Sequence, residues 1–148
     1  MNKYEHQLGV ISHNYYMDVP ATTIRSPLGV NTKNYSSLLI NTYILDPCNI
    51  YFRLKYNEDV DLTLQIIKNG LKTAGVNVYL SNKKPTGTVK GGNTDIYGNG
   101  SKFEDKLNCL LMKWKDYPEI VISRYKHKDK RAHHYVYYDK FSKLFNNQ

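Results

Sequence analysis

Apolar and polar positions along the chain repeat with different periods, and each period predicts an element. Val60, Leu64, Ile67 and Leu71 recur at i, i+4, i+7 and i+11, and Leu62 and Ile66 widen the stripe. That spacing predicts an amphipathic helix with one face turned to a core. Its ends carry their own signals. Asn57 is a good N-cap, and Glu58, Asp59 and Asp61 fill the first turn, where the helix dipole favours negative charge. Gly70 follows the last apolar turn as a stop. A second amphipathic helix is predicted from Phe103, Leu107, Leu110, Leu111 and Trp114. It opens on a capping box, Ser101 with Glu104, and is closed by Pro118.

Strand-like runs lie between and after these helices. "SSLLINTYIL" (residues 36–45) is β-branched and apolar, predicting a mostly buried strand. The turn "DPCN" leads to "IYFRLKY", read as a second strand, and "VNVYL" alternates like a third. "EIVISRY" and "HHYVYY" predict a hairpin joined by the basic turn "KHKDKRA". Residues 1–34 are rich in turn formers and show no sustained period, so they are expected to be irregular, with at most one short strand or helical turn. Residues 81–101 read as a long Gly-, Asn- and Thr-rich loop, and loops of that length are usually functional or mobile. In the tail, Phe141, Leu144 and Phe145 are expected to dock on the body. The order predicts one α/β domain, with α+β as the alternative, built from a mixed sheet, two main helices and a C-terminal β-hairpin.

Composition narrows the partners. The chain has 148 residues and a formal net charge of +8, which points to polyanions: nucleic acid, nucleotide phosphates or an anionic surface. Its 14 tyrosines, with many Asn and Lys, suit an AT-rich coding genome such as that of a phage, a large virus or a low-GC bacterium. No apolar run reaches the ~20 residues of a membrane span, and the N-terminus lacks a secretory core, so a cytoplasmic protein with no membrane partner is expected. Cys48 and Cys109 lack metal-type spacing and are expected to be buried small hydrophobes.

Four constellations could carry chemistry. Three acids in four residues, Glu58, Asp59 and Asp61, exceed what capping needs. Carboxylates at such a junction can bind a metal or take a proton from a hydroxyl, although dipole complementation alone also accounts for acids there. His133 and His134 would face opposite sides of a strand, leaving a single imidazole as the candidate ligand against plain surface histidines. The hairpin combines Arg124, Lys126, Lys128, Lys130 and Arg131 with Tyr125, Tyr135, Tyr137 and Tyr138. That mixture suits single-stranded nucleic acid, or simply a solvated tip. "KGGNTD" offers Gly91 and Gly92 for close backbone approach and Asn93, Thr94 and Asp95 as polar groups, but it is no phosphate-loop or dinucleotide fingerprint.

Taken in order, "NYSSLLINTYI", "FRLKYNEDVDLTLQIIKNG", "KGGNTD" and "RAHHYVYYDKF" resemble the C-terminal half of the TET-associated glycosyltransferases. These are GT-A-like proteins of phages and eukaryotes, related to enzymes that glycosylate hydroxymethylated bases in DNA. The resemblance spans residues 30–145 and is most specific at "YNEDVDLTLQ" with "GGNTD" downstream. It implies a truncated GT-A domain in which Glu58 and Asp59 face the acceptor and Asp59 serves as base. It also implies that His134, with Asp61, binds Mn²⁺ or Mg²⁺ holding a sugar nucleotide, and that Arg131 lies near the phosphates. The donor-binding half of such enzymes has no counterpart before residue 30. Two outcomes follow: a second polypeptide supplies that half, or the fold is reused. In the second case the chain would be a non-catalytic phage or mobile-element protein in the host cytoplasm, binding nucleic acid or inhibiting a host defence factor. A third reading, a small metal-dependent nuclease built on the same acids, lacks an accompanying lysine spacing.

Overall fold

The computed structural model describes residues 7–15, 26–34, 37–82, 108–125 and 132–145. The chain divides into two compact units. The first comprises Met1–Arg53, Glu58–Lys83 and Tyr138–Gln148; the second comprises Leu54–Asn57 and Lys84–Tyr137.

The first unit is a four-stranded mixed sheet with helices. In chain order it carries β1 (Leu8–Tyr15), β2 (Leu28–Val30), β3 (Ser37–Ile40), the single-turn helix α1 (Thr42–Leu45), α2 (Glu58–Lys68) and β4 (Lys72–Ser81). The strand order is β2-β4-β1-β3. β1 runs parallel to β4 and antiparallel to β3, while β2 runs antiparallel to β4. A mixed sheet with helices is the α/β organisation that the element order predicts. Among the described residues no helix is long and apolar enough to cross a membrane.

The apolar stripe of α2 builds the core. Leu62 and Ile66 pack with Val10, Leu45 and Ile50, and Leu38, Ile40 and Leu71 close the edges. Val60, Leu64 and Ile67 are buried as well. Gly9 lets the helix approach β1: a Cβ there would lie 2.8 Å from Leu45 Cδ2 and 3.2 Å from Ile66 Cγ2. The helix ends as Gly70 predicts. Gly70 sits at φ 72°, its N–H donates to Ile67 O at 3.0 Å, and Leu71 N–H reaches back to Ile66 O at 3.1 Å. These two bonds form a Schellman motif, with Leu71 packing against the cluster that contains Ile66. At the other end Asn57 has φ 54°, a left-handed entry that asparagine tolerates better than most residues.

Three expectations need correction. Residues 1–34 hold more strand than the one short element expected: among the described residues they contain β1, which pairs with strands on both sides, and β2. β1 was hidden because its inward positions are not all apolar. Ser12 is fully buried and satisfied by Asn34 Oδ1 at 2.8 Å. The predicted strand over 36–45 stops at Ile40. Asn41 N–H then bonds Gly9 O at 2.9 Å, and residues 42–45 wind into α1, burying Leu45. "IYFRLKY" is not a strand. Its backbone is held by a side chain of α2, with Gln65 Nε2 donating to Tyr51 O at 3.0 Å.

A polar layer joins the linker after β2 to the sheet and tail. Asn31, at φ 52°, exchanges bonds with Thr73: its N–H donates to Thr73 O at 2.8 Å, and its Oδ1 accepts from Thr73 N–H at 3.1 Å. Asn31 Nδ2 also donates to Ser142 Oγ at 2.8 Å.

The second unit contains α3, helical over residues 108–113, and the antiparallel pair β5 (Val121–Tyr125) and β6 (Ala132–Val136). Leu110, Trp114, Ile120 and Val121 are buried. The hairpin register, Val121↔Val136 through Tyr125↔Ala132, matches the predicted pairing. The capping box at Ser101 and Glu104 lies outside the described residues.

The tail forms α4 (Tyr138–Phe145) in the first unit. Phe141 docks as expected, fully buried and 5.0 Å edge-on from Phe145, whereas Leu144 stays 55% exposed. Cys48 and Cys109 are both free, but Cys48 is exposed rather than buried and Cys109 is half-buried. Cys48 ends a 3-10 turn, Asp46–Cys48, that projects beyond the core.

Candidate functional site

The acids that open α2 take different roles because a helix turns 100° per residue. Asp61 points inward and is completely buried. Arg53 grips it with two parallel bonds, Nε to Oδ2 at 2.8 Å and Nη2 to Oδ1 at 2.9 Å. Gln65 Nε2 donates to the same Oδ2 at 2.8 Å. The planar fork of arginine matches a carboxylate in this bidentate way. The pairing raises the Arg53 pKa further above its ordinary value, the hydrogen bond to Asp61 outweighing the opposing effect of burial.

Asp59 lies at the edge of the same turn, half-buried. Its Oδ1 accepts from Val60 N–H at 2.8 Å, and its backbone carbonyl accepts from Thr63 Oγ1 at 2.9 Å. Burial pushes its pKa above the usual carboxylate value, and the neighbouring charge of Glu58 adds to that. The Val60 N–H bond and the positive charge of Lys33 oppose the rise without cancelling it. Tyr138, the first residue of α4, feels the same carboxylate. Burial, with the Asp59 charge behind it, lifts its phenol well above the ordinary tyrosine range. Glu58, Asp59, Lys33 and Tyr138 all belong to the first unit. Burial and the Glu58 charge, only partly offset by Lys33, shift Asp59 toward holding a proton.

The remaining candidates divide by position. His134 lies on β6 opposite Ser123 and is half-buried in the second unit; Asp59 belongs to the first. Tyr125 ends β5 opposite Ala132. Tyr135 is 48% exposed and meets Tyr137 edge-on at 4.8 Å. Lys126, Lys128, Lys130 and Arg131 of the hairpin tip, and Gly91, Gly92, Asn93 and Asp95 of the loop, lie outside the described residues. Among the described residues no three His, Cys, Asp or Glu side chains converge as a metal centre, and both Asp61 oxygens are committed to Arg53 and Gln65.

Sequence reasoning missed Lys33, Tyr138, Arg53 and Gln65 as partners of the acids. Gln65 stands one helical turn after Asp61 and was open to an i, i+4 reading. Arg53 is eight residues back across an irregular segment, and Lys33 and Tyr138 come from distant parts of the chain, so no local period points to them. No protein-family model, curated protein or solved structure matches the chain.

Proposed function

We propose that the chain is a glycosyltransferase-like domain that acts on or recognises nucleic acid, with Asp59 as the group that takes a proton from an acceptor hydroxyl. The observation that carries this reading is the tuning of Asp59. A carboxylate raised by burial, at a helix start beside Lys33 and Tyr138, is a better proton acceptor than an exposed aspartate. The charge of +8 supports a polyanionic partner. No step is assigned to a metal, because Asp61 is engaged elsewhere.

That engagement favours a second reading, a non-catalytic phage or mobile-element protein binding nucleic acid or a host factor. Asp59 and Asp61 are the only D-x-D spacing in the chain, and half of it serves the fold. Calorimetric titration with Mn²⁺ and uridine-diphosphate sugars separates the two. The transferase reading expects binding that Asp59→Asn weakens. Absence of nucleotide binding, together with salt-sensitive binding to DNA or RNA, favours the second reading.

A further inference from the structure

β3 is an outermost strand of the four-stranded sheet, with β1 on one side and no strand on the other among the described residues. The register fixes how its backbone is divided between the two sides. Asn41 N–H bonds Gly9 O, and in an antiparallel ladder bonded and non-bonded pairs alternate. With Val10 opposite Ile40 and Ser12 opposite Leu38, those two pairs are the non-bonded ones. Leu38 and Ile40 therefore turn their N–H and C=O groups away from β1, and these groups meet no partner among the described residues. Their side chains pack on the core, so the side chain between them, Leu39, stands on the opposite face and is 70% exposed.

Natural proteins blunt such edges with charge, proline or a bulge. β2, at the far edge, follows Pro27 directly. β3 has none of these devices: residues 36–45 contain no charged residue and no proline, and its register against β1 is continuous. The chemistry of the edge selects its occupant. Donors and acceptors that recur at every second residue match another extended backbone, and an uncharged strand offers nothing to a charged ligand. β3 is itself such a backbone. Set antiparallel about a two-fold axis through Leu39, Leu38 pairs with Ile40 of a second copy in both directions, and every outward group of both residues is bonded. A shift of the register by two residues either way would place one of them beyond the end of the strand. The same axis sets the two Leu39 side chains opposite each other in a non-bonded pair, with Cβ atoms about 5 Å apart. We infer that β3 is a self-association edge, through which two copies of this chain join their sheets into one, centred on Leu39. The inference does not depend on nucleic-acid binding.

A strand of 4 residues makes a small interface, so the test is read at high concentration. Sedimentation equilibrium of the full chain, from about 10 μM to about 1 mM, is expected to show a reversible monomer–dimer equilibrium. Leu39→Lys sets two ammonium groups opposite each other and is expected to weaken the dimer about tenfold or more. Its Tm should match the parent's, because the side chain is exposed. A cross-link reads the register. In a Cys48→Ser background, which removes the exposed native thiol, Leu39→Cys is expected to oxidise readily to a disulfide dimer. Ser37→Cys should not, since its counterpart lies roughly 13 Å away along the second strand, beyond disulfide reach. A parent that stays monomeric at every concentration would overturn the proposal and leave the edge to an extended segment of another protein. Self-association that Leu39→Lys leaves intact would overturn it as well. So would Ser37→Cys dimers that form as fast as those of Leu39→Cys.

Discussion

Asp59 and Asp61 stand two residues apart in one helical turn, yet they belong to different regions of the protein. Around Asp61 both carboxylate oxygens have donors: the Arg53 fork and the Gln65 amide close on a carboxylate with no exposed surface. Around Asp59 the arrangement is deliberately incomplete. One oxygen takes a backbone N–H, burial and Glu58 raise its proton affinity, and Lys33 only partly offsets them. Two identical side chains become a structural anchor and a tuned acid because 200° of helix rotation sends one inward and leaves the other at the rim. An acidic cluster in a sequence is therefore not one feature.

The contrast is tested most forcefully at the anchor. Asp61→Ala leaves the Arg53 guanidinium, 27% exposed, without its main partner and opens a hole beside Gln65. A loss of about 3 kcal/mol is expected, a drop in Tm of roughly 10 °C for a chain of this size. The double change Arg53→Met with Asp61→Leu should recover much of that loss, since it leaves neither charge of the pair without its partner. If Asp61→Ala melts within a degree of the parent, Asp61 is no anchor and the distinction between the two acids fails.

Asp59→Asn acts the other way and more weakly. A folded-state carboxylate pKa above its unfolded value means the native chain binds more protons between the two, so stability falls as pH rises through that window. At neutral pH the parent therefore holds a partly desolvated charge that the amide variant lacks. Asp59→Asn is expected to be as stable as the parent or more so at pH 7, by no more than about 1 kcal/mol. The gain should vanish as pH falls and the parent carboxylate takes up its proton. Melting curves across pH check both signs, and destabilisation at pH 7 would mean that Asp59, too, is an anchor.

How much of this was legible in the chain follows from the range of each interaction. α2 was readable throughout because its stripe, its acids and Gly70 act within a few residues of one another. The C-terminal hairpin was readable for the same reason. β1 was not, since a sheet position filled by Ser12 looks polar until Asn34, 22 residues away, satisfies it. "IYFRLKY" has strand composition but pairs with no strand of the sheet, and Gln65 Nε2 donates to the Tyr51 carbonyl instead. The acids themselves were visible, but their division of labour depended on Arg53, Lys33 and Tyr138, which tertiary structure brings in.

Lys33 offers the finest probe of the rim. It acts on Asp59 through its charge, which holds the carboxylate pKa lower than burial and Glu58 alone would set it. Lys33→Met removes that charge from an exposed side chain and keeps a stem of similar length. The Asp59 pKa should rise further, read as an upward displacement of its side-chain carboxyl ¹³C titration, while Tm changes little. An Asp59 titration that stayed where it is in the parent would mean that Lys33 does not reach the rim, and burial with Glu58 alone would tune the acid. An upward shift at unchanged Tm makes Lys33, in the linker after β2, the charge that offsets part of what burial does to the candidate base.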